Sequence, residues 1–519
     1  MKMIKYFKIL LIITLCVGVV SCSNDDDNIN IENEGGNGVI TGTVAKIDVK
    51  KAGSFSTLIS DDAKFNITDL TVTGDINGDD IAFIREMAGA DINGDETKGH
   101  LSKLNLKDAN IIVGGNPYYV SGNFAYYTKK NTVSAYLFAK CDKLTSVILP
   151  VSVTVIGPFV FSYSNFDTIK GNPNLISIVI GDNVTEIQSN AFAGTGIKSI
   201  KIPNTVTSIG GYAFSDCSNL TSIDISNTVT SIGAGAFQNC SSLTSIDIPN
   251  TVTSIDRYAF SGCSNLTSID IPNTVTSIGE GAFGRCSSLT SIDIPNTVTS
   301  IGERAFANCS SLASIDIPNS VTEIGLGTFY GCKKLVSLSI GSGLKYIEGM
   351  VASPWRVNNY TAYTFSGCDN LMSFSISKDN PNFVSVDGML LTKDKSWLLA
   401  CPVAKTIVDI PSSVTKIGGI YDTDIYNNRV AAASPFSGSA LVSVTIPESV
   451  ESIGAGFCNC PLLTEVHIKS TTPEKISWSS TFLAVNEKCV FYVPRGTSNI
   501  YKEKIARFNP KKDIVIVEE

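Results

Sequence analysis

The sequence predicts a mostly-β solenoid of short coils stacked along one axis. Three observations carry that prediction. Cys217, Cys240, Cys263, Cys286, Cys309 and Cys332 recur every 23 residues. A fixed apolar spacing surrounds them, Leu-x-x-Ile-x-Ile and then Val-x-x-Ile, as in Leu243, Ile246, Ile248, Val252 and Ile255. A pair such as Ala259-Phe260 then precedes the next Cys. Self-similarity at a period of roughly 20–50 residues marks stacked units that bury one another's faces.

Weaker copies hold the Phe slot at Phe138, Phe192, Phe365, Phe436 and Phe457, with Cys141, Cys368 and Cys460 behind three of them, so about 11 coils span residues 137–468. Leu-x-x-Ile-x-Ile turns its apolar residues to one side, which is a strand signature. Pro249 follows and ends the strand, because it has no N–H for the ladder. Val-x-x-Ile gives a second short element. The next residue is Gly210, Gly233, Gly279, Gly302, Gly325, Gly418 or Gly454, and Asp256 in one copy, so a positive-φ turn is expected there. One coil cannot fold alone. Its apolar side chains return roughly 1.5–3 kcal/mol each, against roughly 1–2 kcal/mol for every backbone fixed.

The chain begins differently. Lys2, Lys5 and Lys8 precede an apolar run from Ile9 to Val20, too short to span a bilayer and suited to a signal peptide. Val19-Val20-Ser21-Cys22 resembles a bacterial lipobox, which implies lipidation at Cys22. Residues 1–22 are then a lipoprotein signal peptide. Ser23-Asn24-Asp25-Asp26-Asp27 is similar to the export tag of some Gram-negative surface lipoproteins, and residues 23–38 read as a flexible tether. Residues 39–131 form an N-terminal capping module: strand at Leu70-Thr71-Val72, helix from Asp79 to Met87, strand at Leu104-Asn105-Leu106. Ile81, Ile84, Met87 and Ala88 share one helical face. Residues 132–468 are the coil array, with inserts near 349–363 and 419–435, and 469–519 a C-terminal β cap with strands at 489–494 and 514–516.

The 23-residue sentence resembles the BspA-type leucine-rich repeats of bacterial surface proteins, and 39–131 resembles the lead-in module of such lipoproteins. The resemblance implies a right-handed curved leucine-rich-repeat solenoid with an N-terminal α+β cap and a C-terminal β cap. It also implies a role in adhesion or in host and glycan recognition.

Composition and chemistry narrow the function. Charged residues are only 17% and the net charge is −8, which argues against a nucleic-acid partner. His100 and His467 are the two histidines, too few for a His-based triad or a His-rich metal site. No catalysis, cofactor or metal is expected. Of the 14 cysteines, those of the ladder read as buried reduced thiols in one column. Asp75, Asn77, Asp79 and Glu86 echo a calcium loop, but Asp80 stands where the sharp turn needs Gly. A plain turn with Asp79 capping the helix is the simpler reading.

Two surfaces are candidate contacts. Asp224, Asp247, Asp270, Asp293 and Asp316 recur at one outward position beside Ser222, Ser245, Ser268, Ser291 and Ser314, an acidic stripe expected on the concave side. It serves either as a solvated face or as a site for cations or a basic ligand. The inserts carry aromatics: Trp355, Tyr360 and Tyr363, then Tyr421 and Tyr426 with Arg429, and ahead of Phe138 Tyr118, Tyr119, Phe124, Tyr126 and Tyr127. Exposed aromatics suit glycan or protein contact; packing over a coil edge is the alternative. The combined expectation is a lipid-anchored outer-membrane protein at the cell surface, binding a host matrix protein or glycan. The alternatives are a structural or assembly scaffold and an accessory lipoprotein that captures polysaccharide.

Overall fold

The computed structural model describes residues 28–165, 168–347, 364–418, 422–423, 429–430, 435–454, 456–478, 481–482, 485–508 and 514–519. It is mostly β, with 30% strand against 7% helix, as stacked short strands require. The described residues fall into two compact units divided after Val229.

The first unit opens with an antiparallel meander of Asn28–Asn33, Gly36–Thr41 and Val44–Val49. Residues 28–33 and 36–38, expected in the tether, are thus strand, joined by a turn. Ile29 pairs with buried Ile40, and Ile31 with Gly38. The intervening Asn and Glu residues dilute the composition and hide this period-2 signal. Val44–Val49 then runs parallel to Asp69–Ile76, followed by Lys103–Asn105, Ser146–Ile148 and Ser177–Val179. The Val-x-x-Ile elements make a second parallel ladder of Thr132–Val133, Val155–Ile156, Glu186–Ile187 and Ser208–Ile209.

The helix is Gly78–Met87, and Ile81, Ile84, Met87 and Ala88 are fully buried as the 3.6 period predicts. Its cap is Asn77 and not Asp79. The Asn77 side chain accepts from the Asp79 N–H at 3.0 Å, and the Asp80 carboxylate accepts from the Asn77 N–H at 2.9 Å. This reciprocal capping box satisfies amides at both ends of the first turn.

Coils join through backbone bonds running from one to the next. In the second unit the Gly235 N–H donates to the Arg257 carbonyl at 2.8 Å, and the Phe237 N–H to the Ala259 carbonyl at 2.9 Å. The coil that starts the stack, in the first unit, meets the same need with side chains. Its equivalent carbonyls, Ala135 and Leu137, accept from the Tyr118 hydroxyl at 2.6 Å and the Arg85 guanidinium at 3.0 Å. Arg85 is fully buried and lies 4.7 Å from the centre of the Tyr119 ring. The helix therefore closes the first coil by hydrogen bonding as well as by apolar contact.

In the second unit, rings Phe237, Phe260, Phe283 and Phe306 stack at 5.6 Å between centroids, 4–7° from parallel. Glycine in the Gly279 slot has a different cause from the one expected. Gly279, Gly302 and Gly325 do not take positive φ; a Cβ there would come within 2.6, 2.6 and 2.3 Å of the backbone nitrogens of Arg257, Glu280 and Glu303. Close approach of the preceding coil favours glycine in these three copies, Asp256 holds the slot in a fourth, and Gly418 takes the expected positive φ at 70°. Positive φ occurs two residues later, at Tyr258, Gly281, Arg304 and Gly327.

An antiparallel meander, Phe383–Val386, Met389–Thr392 and Trp397–Ala400, interrupts the coils. Its first turn is Asp387-Gly388, with φ 50° and 76°. The Asp-Gly dipeptide is a hairpin signal that the repeat pattern obscures. The unit ends in a parallel sheet of Ile407–Asp409, Ser443–Ile446, Glu465–Ile468, Val490–Val493 and Val515–Glu518. The C-terminal segment is not all β, because Ser498–Phe508 is a helix. Tyr501 and Ile505, at i and i+4, are both fully buried. Lys502, Glu503 and Lys504 between them mask the helical period.

Candidate recognition surfaces

The repeated outer face is polar and regular. Asp247 pairs with Asp270, and Asp270 with Asp293, across adjacent parallel coils. Asp316 follows in the same slot and pairs with Ser339. All four carboxylates are exposed. Asp270 thus has a carboxylate on each side, a face that water solvates. In the first unit, exposed Asp224 pairs with Lys201, so its surroundings differ from those of the other four.

The aromatics ahead of Phe138 divide into root and tip. Tyr119–Ser121 and Phe124–Tyr126 form a hairpin. Tyr118 and Tyr119 are buried, and rings Tyr119, Tyr126 and Tyr136 pack at 4.8–5.9 Å, with Phe159 stacked 5.1 Å from Tyr136. Packing over the coil edge accounts for these. Burial raises the pKa of Tyr118 well above that of a free phenol, so it stays a hydrogen-bond donor. Phe124 and Tyr127 are left on the surface, 71% and 54% exposed, beside exposed Lys129 and Lys130. Trp355, Tyr360, Tyr363, Tyr421 and Tyr426 lie outside the described residues, as does Cys22. Arg429 starts a short strand, Arg429–Val430, antiparallel to Asp422–Thr423.

The thiol column is structural. Each Sγ donates to the Phe carbonyl of the preceding coil: Cys263 to Phe237, Cys286 to Phe260, Cys309 to Phe283 and Cys332 to Phe306, at 3.1–3.2 Å. Burial pushes the thiols of Cys217, Cys263, Cys401 and Cys460 up to about 12, which suppresses the nucleophilic thiolate. The bond to a carbonyl accounts for Cys in a slot that Thr195 and Ser439 hold in other copies.

The four residues of the calcium-like segment are each engaged elsewhere. Asp75 accepts from Asn110, Asn77 caps the helix, Asp79 accepts from Asn116, and Glu86 pairs with Lys64. Desolvation raises the pKa of buried Asp80, whose carboxylate accepts from the Gly53, Phe55 and Asn77 amides. Among the described residues no group of three or more His, Cys, Asp or Glu converges to hold a metal. The histidines lie in different units: His100 contacts the Phe65 carbonyl, and His467 stacks on Tyr492 at 4.4 Å.

Stacked coils with an Ile ladder, a Phe ladder and a column of thiols define a solenoid repeat protein. Residues 118–179, 170–288, 253–383 and 430–512 match the BspA type Leucine rich repeat region, in six copies. The chain belongs to that family. No curated protein matches the sequence. Among solved structures it is similar to a leucine-rich repeat protein from Bacteroides ovatus, 21% identical over 72% of this chain and 90% of that one, with a TM-score of 0.47. It is also similar to a leucine rich cell surface protein from Faecalibacterium prausnitzii, 18% identical over 96% and 95%, with a TM-score of 0.30.

Proposed function

We propose that this is a non-catalytic recognition protein, lipid-anchored through Cys22 at the outer-membrane surface, which binds a host matrix protein or a glycan where the repeat is broken. The contrast between the two kinds of surface carries the reading. The coils from Asp224 to Asp316 offer the same Ser and Asp to solvent at each step, whereas the hairpin presents Phe124 and Tyr127 from a packed aromatic root. A rigid root lowers the ordering cost of binding, and aromatics supply contact area. Trp355, Tyr360, Tyr363, Tyr421, Tyr426 and Arg429, in the other two inserts, are proposed as further contacts. The Asp stripe would contribute a general field.

The test is capture of a soluble chain of residues 23–519 on paired glycan and host-matrix arrays, with membrane fractionation of Cys22→Ser in cells. Saturable capture of one ligand class, and release of Cys22→Ser from the membrane, are the expected results. Absence of capture on both arrays contradicts the recognition role, and an unchanged membrane fraction contradicts the anchor.

A further inference from the structure

We propose that the turns flanking Phe260, Phe283 and Phe306, which present Arg257, Arg285 and Arg304, bind an anionic polysaccharide through its sulfate or carboxylate groups. This adds a site and a ligand class to the recognition role and does not depend on the anchor.

The coils that start at Cys240, Cys263 and Cys286 are near-identical copies of 23 residues, and they differ from one another at six positions. One is Ser242, which is Asn265 and Ser288 in the other two. The remaining five flank the Ala-Phe pair. They are Asp256-Arg257-Tyr258 and Ser261-Gly262 in one copy, Gly279-Glu280-Gly281 and Gly284-Arg285 in the next, and Gly302-Glu303-Arg304 and Ala307-Asn308 in the third. Ser245, Asp247 and Asn250 are exposed and unchanged in all three copies. Random substitution would strike both surfaces, whereas here it is concentrated on one. The inserts at 349–363 and 419–435 fall at the same point of the period, just ahead of Phe365 and Phe436.

Large side chains stand on this edge at a cost. Tyr258, Arg285 and Arg304 take φ of 57°, 62° and 52°, in slots that adjacent coils fill with Gly281, Gly262 and Gly327. Left-handed backbone disfavours bulky residues, and such strain persists where the side chain serves. The charge is also segregated. Arg257, Arg285 and Arg304 are the only Lys or Arg residues between Cys240 and Cys332, and all three are exposed. Glu280 accepts from the Tyr258 hydroxyl, and Glu303 pairs with Arg304 at 2.9 Å. Arg257 and Arg285 have no ion pair among the described residues. Guanidinium forks on successive coils, about 5 Å apart along the stack, suit sulfates or carboxylates repeated along a chain. An extended peptide would find no ladder to join, because the amides here already bond from coil to coil. The Tyr258, Phe260 and Gly262 N–H groups donate to the Glu280, Ala282 and Gly284 carbonyls at 2.7, 2.8 and 2.7 Å.

The test titrates the full chain in detergent with dextran sulfate, hyaluronate, polyglutamate and neutral dextran. Dextran sulfate or hyaluronate should bind and dextran should not; which of the two binds assigns sulfate or carboxylate. Arg257→Ala/Arg285→Asn/Arg304→Gly installs the residues that Ala234, Asn308 and Gly281 place in the same slots, so the melting curve should hold. Affinity should fall by about tenfold or more. Lys378→Ala/Lys475→Ala/Lys488→Ala removes the same charge elsewhere and should leave affinity within about twofold. Failure of both anionic polysaccharides to bind, or an equal loss in the two triple variants, overturns this edge and leaves the inserts as the recognition surface. Polyglutamate bound more tightly than either polysaccharide, and lost in the arginine variant, overturns the ligand class in favour of an acidic peptide.

Discussion

An interior coil and the first coil face the same requirement and meet it with different chemistry. In the interior, the Arg257 and Ala259 carbonyls are satisfied by amides of an identical neighbour. At the start of the stack, Ala135 and Leu137 are satisfied by side chains, those of Tyr118 and of Arg85 on the helix. A repeat propagates itself; it cannot begin or end itself. The same division runs through the surface. Identical coils display identical Ser and Asp, and distinctive side chains appear where the period stops.

The largest expected effect comes from breaking the interior. Phe260→Ala removes a ring stacked 5.6 Å from both neighbours and should cost about 3–5 kcal/mol. Hydrogen exchange should accelerate across the coils of Phe237, Phe260 and Phe283, because nearest neighbours carry the stability. Acceleration limited to one coil would contradict that coupling.

Breaking the first coil should be smaller and local. Arg85→Leu leaves the Leu137 carbonyl buried without its donor, at about 1–3 kcal/mol, and Tyr118→Phe does the same at Ala135 for about 1 kcal/mol. Exchange should rise in residues 132–160 and stay unchanged in 237–330. Chains that start at residue 39 lack strand Asn28–Asn33 and half of Gly36–Thr41, so their exchange should rise in Val44–Val49, which loses that partner.

Alkaline pH should weaken the second unit's coils gradually. The thiols of Cys263, Cys401 and Cys460 rise from the usual 9.0 to about 12 on burial, so the folded state keeps protons that the unfolded state releases. That contribution is complete below about pH 9 and is lost as pH climbs toward 12. Urea midpoints should fall between pH 8 and 10.5, and less steeply in Cys263→Ala, whose folded state has no such proton to keep.

The repeat was legible because every copy restates it: Leu243, Ile246, Val252 and Phe260 take environments that their counterparts one period away also take. Elements that occur once had no such redundancy. Tyr118 read either as a contact aromatic or as packing over a coil edge, and nothing in its neighbours announces the carbonyl it serves. Strand Asn28–Asn33 hid beneath Asn and Glu, and helix Ser498–Phe508 beneath a charged run. The glycine of the Gly279 slot was expected to take positive φ, which holds at Gly418 and not at Gly279, Gly302 or Gly325. Crowding from the preceding coil is a tertiary fact, whereas positive φ is a local one. Candidate contact residues are harder still to read, since an aromatic in an insert packs, as Tyr119 does, or projects, as Phe124 does, according to contacts made far along the chain.

The claim that recognition lives where the repeat breaks is tested most directly by comparing two variants on whichever ligand the arrays return. Phe124→Ala/Tyr127→Ala, combined with Trp355→Ala/Tyr426→Ala, should weaken capture by about tenfold or more while the melting curve stays nearly unchanged. Asp247→Asn/Asp270→Asn/Asp293→Asn should change the salt dependence and leave affinity within about twofold. Loss of capture in the aspartate variant with full capture in the aromatic one would place the site on the uniform coils and contradict the account.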